Sequence, residues 1–461
     1  MRPGVLEHPI AVPLSAEALV MALAVEHPGA DGLVWLDSGL GARIGRSLVA
    51  LGARVPLSPD AAVLPQLRAT LAGMAVPPAE SGPTVEALPL GLVGWFGYEL
   101  RAETMDMPAP VTPEHHRAAW LRVDRGVAFD HTTGTSRLVA LDPARAGGWH
   151  GGLDDWRQAM LALVERAAAA SPAAPAPVAA QGPVAWRDTH DDYAELVRQC
   201  QRSIHDGDAY QLCLTTQATV STADGSDLDS IEVYRRLRRS SPAHHGALVR
   251  IGDTTLLSAS PETFLRVVDG TVQTRPIKGT RPRDADPVRD ALLARELAAS
   301  DKEQAENLMI VDLMRNDLAR ISEVGSVVVT GLLEVESYAH VHQLVSTIEG
   351  RLRLGLDALD AVAACLPAGS MTGAPKRRAI ELLAGLEAGP RGIYSGAFGY
   401  LGADGSADLA MVIRSIVVEG ARATVGTGGG VTALSEPEHE VAEMRLKAHA
   451  LLSALTGESV P

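Results

Sequence analysis

Cysteine is scarce. Three occur, Cys200, Cys213 and Cys365, odd in number, scattered and without a C-x-x-C pair. That spacing argues against a disulfide framework or a structural zinc site and fits a reducing cytoplasmic setting. Basic charge is also short: 41 Lys and Arg stand against 56 Asp and Glu, a net −15. Such a chain repels nucleic-acid phosphates and anionic membranes, so neither is an expected partner, and an anionic substrate needs a local positive site or a metal ion. No run of about 18 uncharged apolar residues appears, so no membrane span is expected. Glu7, His8 and Glu17 interrupt the N-terminal apolar stretch, so no signal peptide is expected. G-x-G-x-x-G, G-x-S-x-G and H-E-x-x-H are all missing. His115-His116 and His244-His245 lack companion ligands at metal spacing and read as loop histidines.

What is present is an ordinary folded composition, 46% apolar and 21% charged over 461 residues, enough for one large or two medium units. The stretch RAAAASPAAPAPVAAQGP loses all apolar periodicity and reads as a semi-rigid linker over 166–184. It divides an N-terminal part, 1–165, from a catalytic-sized part, 185–456. In the first, LDSGLGARIGRSLVALG reads as strand end, turn and helix, and LGLVGWFGYEL (90–100) as buried strand and turn. In the second, HDDYAELVRQCQRSIHDGD is helical by its apolar spacing. Strands follow, with turn signals at Gly252-Asp253 and Asp269-Gly270. A helical stretch covers about 286–321, and Ser300-x-x-Glu303 inside it is a capping box that starts a second helix. A final helix is expected over about 436–455. Hairpins outnumber regular βαβ units, so the class is α+β.

Several constellations could carry chemistry. Glu303 and Glu306 lie three apart on one helix face, and Glu436, Glu440, Glu443 and Lys447 form a stripe on another, opposite Val441, Met444, Ala448 and Leu451. Like charges so spaced repel by a few tenths of a kcal/mol per pair. A hard cation with oxygen ligands would relieve them, and so would plain solvation of the helix face. In RPIKGTRPR, Lys278 stands between an apolar strand and a Gly-Thr turn, where desolvation can free an amine lone pair for attack. A water-exposed turn lysine fits the same letters. Glu262, after Ser260-Pro261, can act as an acid at neutral pH only if burial keeps it protonated. Two glycine clusters, 369–376 and 427–430, let backbone N–H groups approach an anion or simply make tight turns. The first is no P-loop, since Arg377 follows its lysine.

The order of these blocks is more specific than any one of them. GDAYQLCLTTQ (207–217), SASPETFL (258–265), RPIKGTRPR (275–283), KEQAENLMIVDLMRNDLARI (302–321), VHQLVSTIEG (341–350), LPAGSMTGAPKRRAIELL (366–383), RGIYSGAFGYL (391–401), MVIRSIVV (411–418) and GTGGGVTALSEPEHEVAEMRLKA (426–448) resemble the chorismate-utilising family. That family comprises anthranilate synthase component I, aminodeoxychorismate synthase component I, and the isochorismate and salicylate synthases. The resemblance covers essentially all of 185–455, with a looser N-terminal match through LDSG and GLVGWFGYE.

The resemblance implies an anthranilate-synthase-component-I-like α+β fold, with two packed β-sheets, surrounding helices and a central cleft. It implies Mg²⁺ on Glu306 and Glu443, supported by Glu303 and Glu440, gripping the ring carboxylate of chorismate. Arg414, Tyr394, Lys447 and the amides of Gly428, Gly429 and Gly430 would hold the pyruvyl carboxylate. Thr280 would sit beside the ring, and Thr372 in a block lining the pocket. Lys278 in P-I-K-G-T, where anthranilate synthases carry Ala, implies the aminodeoxychorismate synthase branch and a covalent lysine adduct. Glu262 would be the general acid/base. Gln211, where water-using members carry a lysine, implies ammonia as the nucleophile. Many members have histidine where Gln343 stands; either the preceding His342 takes that role or the acid step relies on Glu262. Ammonia would come from a separate glutamine amidotransferase subunit, giving a heteromeric assembly. Ser38, in LDSG, resembles a tryptophan-binding motif of some members, and a plain strand–turn serine fits equally. Rival readings are anthranilate synthase component I and a non-catalytic regulator of an amidotransferase.

Overall fold

A computed structural model describes residues 4–77, 90–142, 148–170, 174–175, 178, 181–338 and 340–457. Among them, strands form two antiparallel sheets, of twelve and ten strands, with helices around them.

Each sheet is shared by both parts of the chain. In the larger, Gly32–Asp37 pairs with His245–Ile251, Val34 standing opposite Val249. In the smaller, Gly91–Phe96 pairs with Ala397–Gly402, Trp95 opposite Phe398. The segments 1–165 and 185–456, separate by composition, therefore do not build separate sheets. The expected linker is shorter at its start, because helix Gly152–Ala169 runs four residues into 166–184.

Strand alternation decides the layers. Val34 joins the core between the sheets with Trp95, Trp120 and Phe264. Its neighbours Leu33 and Trp35 point the other way, onto helices Ala16–Glu26 and Ser230–Ser240. Each fully buried side chain of this size contributes about 1.5–3 kcal/mol. Both two-residue turns form as expected: Asp269 and Gly270 take φ of 49° and 71°, the left-handed pair that matches strand twist. One expectation fails. LDSGLGARIGRSLVALG contains no helix; Gly39, Gly41 and Gly45 sit at φ 95°, 72° and 86°, and the chain continues as strand Arg46–Leu51. Positive φ at three glycines is incompatible with a right-handed helix.

The long helical stretch divides where its sequence says. Helix Pro287–Ala298 ends, Ser300 caps the next, and Asp301–Ala319 follows. The last helix, Pro437–Thr456, buries Val441, Met444, Ala448 and Leu451. No helix among the described residues is long and apolar enough to cross a membrane.

Candidate active site

A cleft of about 500 Å³ gathers residues from most of these blocks. Helix Asp301–Ala319 brings Lys302, Glu303 and Glu306; helix Pro437–Thr456 brings Glu440, Glu443 and Lys447. Strand Ile277–Pro282 supplies Lys278, Thr280 and Arg281, and strand Arg422–Val431 supplies Gly426 to Gly430.

Lys278 reaches the cleft through a β-bulge. Ile277 faces Val345 and Thr280 faces Gln343, so Lys278 and Gly279 together oppose Leu344 alone. A bulge re-aims a side chain, and this one needs glycine second, at φ 84°. A Cβ at Gly279 would also lie 2.9 Å from the Glu303 carboxyl carbon. The Lys278 side chain is 14% exposed, with Nζ 3.8 Å from Glu306 Oε2.

The glutamates face each other across the cleft. Lys302 Nζ is 4.0 Å from both Glu306 Oε1 and Glu440 Oε1, so one ammonium ties the two helices. Burial raises the proton affinity of Glu306, and Glu303 and Glu440 add repulsion. Burial does the same for Glu440, which also accepts from the Ser435 hydroxyl at 2.8 Å. For Glu443 burial acts in the same direction, but Lys447 at 2.7 Å outweighs it and holds the carboxyl below its ordinary range. Glu303 lies 3.7 Å from Arg281. This oxygen-only donor set fits Mg²⁺. No three of its carboxylates bring oxygens within 4.8 Å of one another among the described residues. That spacing suits an ion that keeps several waters. Glu436 is remote from the cleft: it precedes the helix, exposed, against His439.

Glu262 lines the same cleft. Its residue is 7% exposed, and burial pushes its carboxyl up to about 7, against the Ser370 hydroxyl and Lys278, which favour the charge. A carboxyl poised there can give or take a proton at neutral pH.

The anion side is built on glycines. The strand Arg422–Val431 pairs with Gln211–Ser221 throughout, but its other neighbour, Ser415–Glu419, stops opposite Val425. One edge of Gly426–Gly430 is thus open to the cleft. A Cβ at Gly426 would sit 2.1 Å from the Tyr394 ring, and one at Gly430 2.1 Å from Gln211 Nε2 and 3.4 Å from Lys278 Nζ. Gln211 is buried and its Oε1 has no hydrogen-bond partner. Arg414 is exposed at φ 49°, and its guanidinium makes no hydrogen bond or ion pair among the described residues. Lys447 is more committed, donating to Gly428 O at 2.9 Å besides its pairing with Glu443.

Two expected residues are elsewhere. Val341 and Gln343 line the cleft, so His342 between them points to the opposite face of the strand. There its Nε2 meets Asp290 at 3.0 Å and its Nδ1 meets Ser337 at 2.8 Å, which makes it a partner of helix Pro287–Ala298. Thr372 is wholly buried and donates to Ala368 O at 3.1 Å; it fixes the turn that presents Ser370 and Met371 to the cleft. The helix after that glycine cluster, Lys376–Leu386, does not begin at the cleft, and Lys376 is engaged by Asp317 and Pro367 O at its own end. Ser38 lines a separate cavity of about 330 Å³ between the sheets, its hydroxyl donating to Arg46 O at 2.7 Å. Lys302, Arg281 and Ser370 were not among the residues expected; Lys302 had a signal, standing four before Glu306 on the same face.

The fold and cleft define an α+β enzyme whose site sets an amine, a proton-holding carboxyl and clustered carboxylates around a small space. A family profile described as chorismate binding enzyme matches residues 55–453, and the chain belongs to that family. It is 44% identical over 375 residues to an aminodeoxychorismate synthase of Streptomyces pristinaespiralis, covering 79% of this chain and 51% of that one. It thus spans about half the length of that relative. It is 39% identical to aminodeoxychorismate synthase component 1 of Klebsiella aerogenes, covering 79% and 72%. The crystal structure of anthranilate synthase component I from Streptococcus pneumoniae superposes with a TM-score of 0.74 at 28% identity, covering 95% and 98%.

Proposed function

We propose that this chain converts chorismate and ammonia to 4-amino-4-deoxychorismate. The observation that carries the reading is the bulged Lys278, in one cleft with the buried Glu262 and 3.8 Å from Glu306. A relative named aminodeoxychorismate synthase at 44% identity supports the branch.

In this reading Lys278 Nζ, as the free amine, adds to C2 of the substrate ring. The two ring double bonds shift, and the C4 hydroxyl leaves as water with a proton from Glu262. Ammonia then adds at C4, the double bonds shift back, and the lysine departs from C2. Arg414, which makes no hydrogen bond or close ion pair among the described residues, takes one substrate carboxylate, and the open edge of Gly428–Gly430 offers it N–H groups. Tyr394 and Lys447 flank that subsite, and Thr280 flanks the ring. Gln211 has no basic group with which to activate water, which leaves ammonia as the nucleophile. Mg²⁺ on Glu306 and Glu443, supported by Glu303 and Glu440 directly or through water, would supply the positive charge for the other carboxylate. A glutamine amidotransferase subunit in a cytoplasmic heteromer would deliver the ammonia. Ser38 marks a second cavity in which an effector would sit.

Incubation with chorismate, Mg²⁺ and an ammonium salt tests this. Aminodeoxychorismate is the expected product, with a chorismate-derived mass increase on Lys278 in quenched samples. Fluorescent anthranilate as the main product would defeat the assignment in favour of the anthranilate synthase reading, which the Streptococcus pneumoniae likeness keeps in view. No turnover of chorismate under any ammonia source would leave the regulatory-subunit reading.

A further inference from the structure

His115 and His116 gain from the fold the companion that their sequence lacks. Both sit on the helical turn Glu114–Arg117, which leads into strand Ala118–Val123 of the ten-stranded sheet. Glu419, 303 positions beyond His116, ends strand Ser415–Glu419 of the twelve-stranded sheet. Its Oε1 lies 2.9 Å from His115 Nε2 and 2.8 Å from His116 Nε2. The three ligand atoms all lie within 4.8 Å of one another.

We propose that His115, His116 and Glu419 form a second metal site, for a divalent transition-metal ion of the Zn²⁺ type, distinct from the oxygen-lined cleft. Two imidazole nitrogens and one carboxylate oxygen are a donor set for zinc and its neighbours in the first transition row, while Mg²⁺ prefers oxygen alone. A tetrahedral ion at about 2.0–2.1 Å from each donor holds them roughly 3.3 Å apart, so each imidazole-to-Glu419 distance needs to open by only about half an ångström. Binding requires each imidazole to carry its proton on Nδ1 and present a bare Nε2, which neutral histidine does without releasing a proton. The three side chains are 31%, 21% and 30% exposed, so water can fill the remaining position.

The donors are held before any ion arrives. The backbone carbonyl of His115 accepts from the indole of the fully buried Trp95 at 2.7 Å, and the N–H of His116 donates to Pro113 O at 2.9 Å. Glu419 is registered between Thr254 and Arg422 in adjacent strands. A metal there clips one sheet to the other, and the N-terminal part of the chain to the C-terminal part. The site is at the far end of its strand from the cleft: Arg414 precedes the strand, and five residues of extended chain span about 16 Å. Occupancy therefore acts on the stability of the sandwich and not on the cleft chemistry.

Co²⁺ titration of the tag-free full chain, with Mg²⁺ in millimolar excess to occupy the cleft, tests the proposal. The expected result is one equivalent of Co²⁺ with visible d–d bands of low coordination number, displaced by Zn²⁺, and a rise in Tm on adding Zn²⁺. The bands are lost in His116→Ala and in Glu419→Gln and kept in Glu306→Gln. No band in the wild type, a band that survives Glu419→Gln, or one that vanishes with Glu306→Gln overturns it. If the variants do not fold, the zinc K-edge spectrum of the wild type decides: two imidazole ligands uphold the site, and oxygen ligands alone refute it.

Discussion

Two cavities open beside the same pair of sheets, and most of their charged groups are held differently. In the cleft, Lys278, Lys302 and Arg281 stand 3.7–4.0 Å from Glu306, Glu440 and Glu303, beyond direct hydrogen bonding. In the cavity beside Ser38, Asp37 and His245 are closed on partners, while the buried Asp408 keeps one carboxylate oxygen without a hydrogen bond. Asp37 is taken by Arg238 and by Tyr234 at 3.2 Å, and His245 by the Thr263 hydroxyl at 3.0 Å. Burial there pushes His244 down to about 3 and His245 to about 4, so both rings are neutral near pH 7. The contrast teaches that charge density alone does not mark a reactive site. Loosely held charges that a ligand can recruit do.

The sharpest way to break this contrast is Lys278→Ala, expected to reduce aminodeoxychorismate formation to background with the fold intact by circular dichroism. Substantial residual turnover would remove the lysine from the chemistry. Next is Glu262→Gln. Loss of a proton donor of this kind costs about 10²–10⁴ in rate. In the wild type the rate, normalised to free ammonia, is expected to fall as pH rises through about 7, where Glu262 ionises. Steady-state rates across pH 5.5–9 (about that span suffices for one ionisation) check the limb.

The same carboxyl gives a stability effect whose sign is fixed. Its folded-state value of about 7 lies above the ordinary 4.5, so the folded chain binds the extra proton between them. Glu262 therefore favours folding fully below the lower value, and that contribution is lost as pH rises through about 7. At pH 8, Glu262→Gln should be more stable than wild type by up to about 3 kcal/mol, the free-energy equivalent of the shift, and equal to it near pH 4. Denaturant midpoints at the two pH values show whether the difference closes.

Smaller effects are expected outside the cleft. His342→Ala should lose about 1–3 kcal/mol, through the Asp290 and Ser337 partners left behind, while kcat changes only a few-fold. A kcat loss as deep as that of Glu262→Gln would put the histidine back in the acid step. Ser38→Ala should cost about 1 kcal/mol, the worth of one hydrogen bond, with turnover unchanged.

Much of this was legible in the chain itself. Ser300-x-x-Glu303 divided two helices correctly because capping depends on neighbours in sequence. Glu440, Glu443 and Lys447 were placed on one face by helical period alone. The ordered blocks pointed to a chorismate cleft, and P-I-K-G-T to a lysine within it. Two local features of the backbone differ from that reading. The segment after Gly45 is a strand and not a helix, because Gly39, Gly41 and Gly45 take positive φ. His342 faces away from the cleft, because a one-residue offset in a strand reverses the direction of the side chain.

The amino-acid sequence by itself determined the helix break at Ser300, the closing helix, the two-residue turns, the glutamate stripe and the candidate amine, because each rests on spacing within a few residues. Only the tertiary structure decided which groups meet. It buried Glu262 until its proton stays on near neutrality, aimed Lys278 through a bulge at Glu306, and turned His342 away. It also carried Glu419 to a pair of histidines on the helical turn that leads into the other sheet. Burial and long-range contact set charge and reach, and neither is encoded in local spacing.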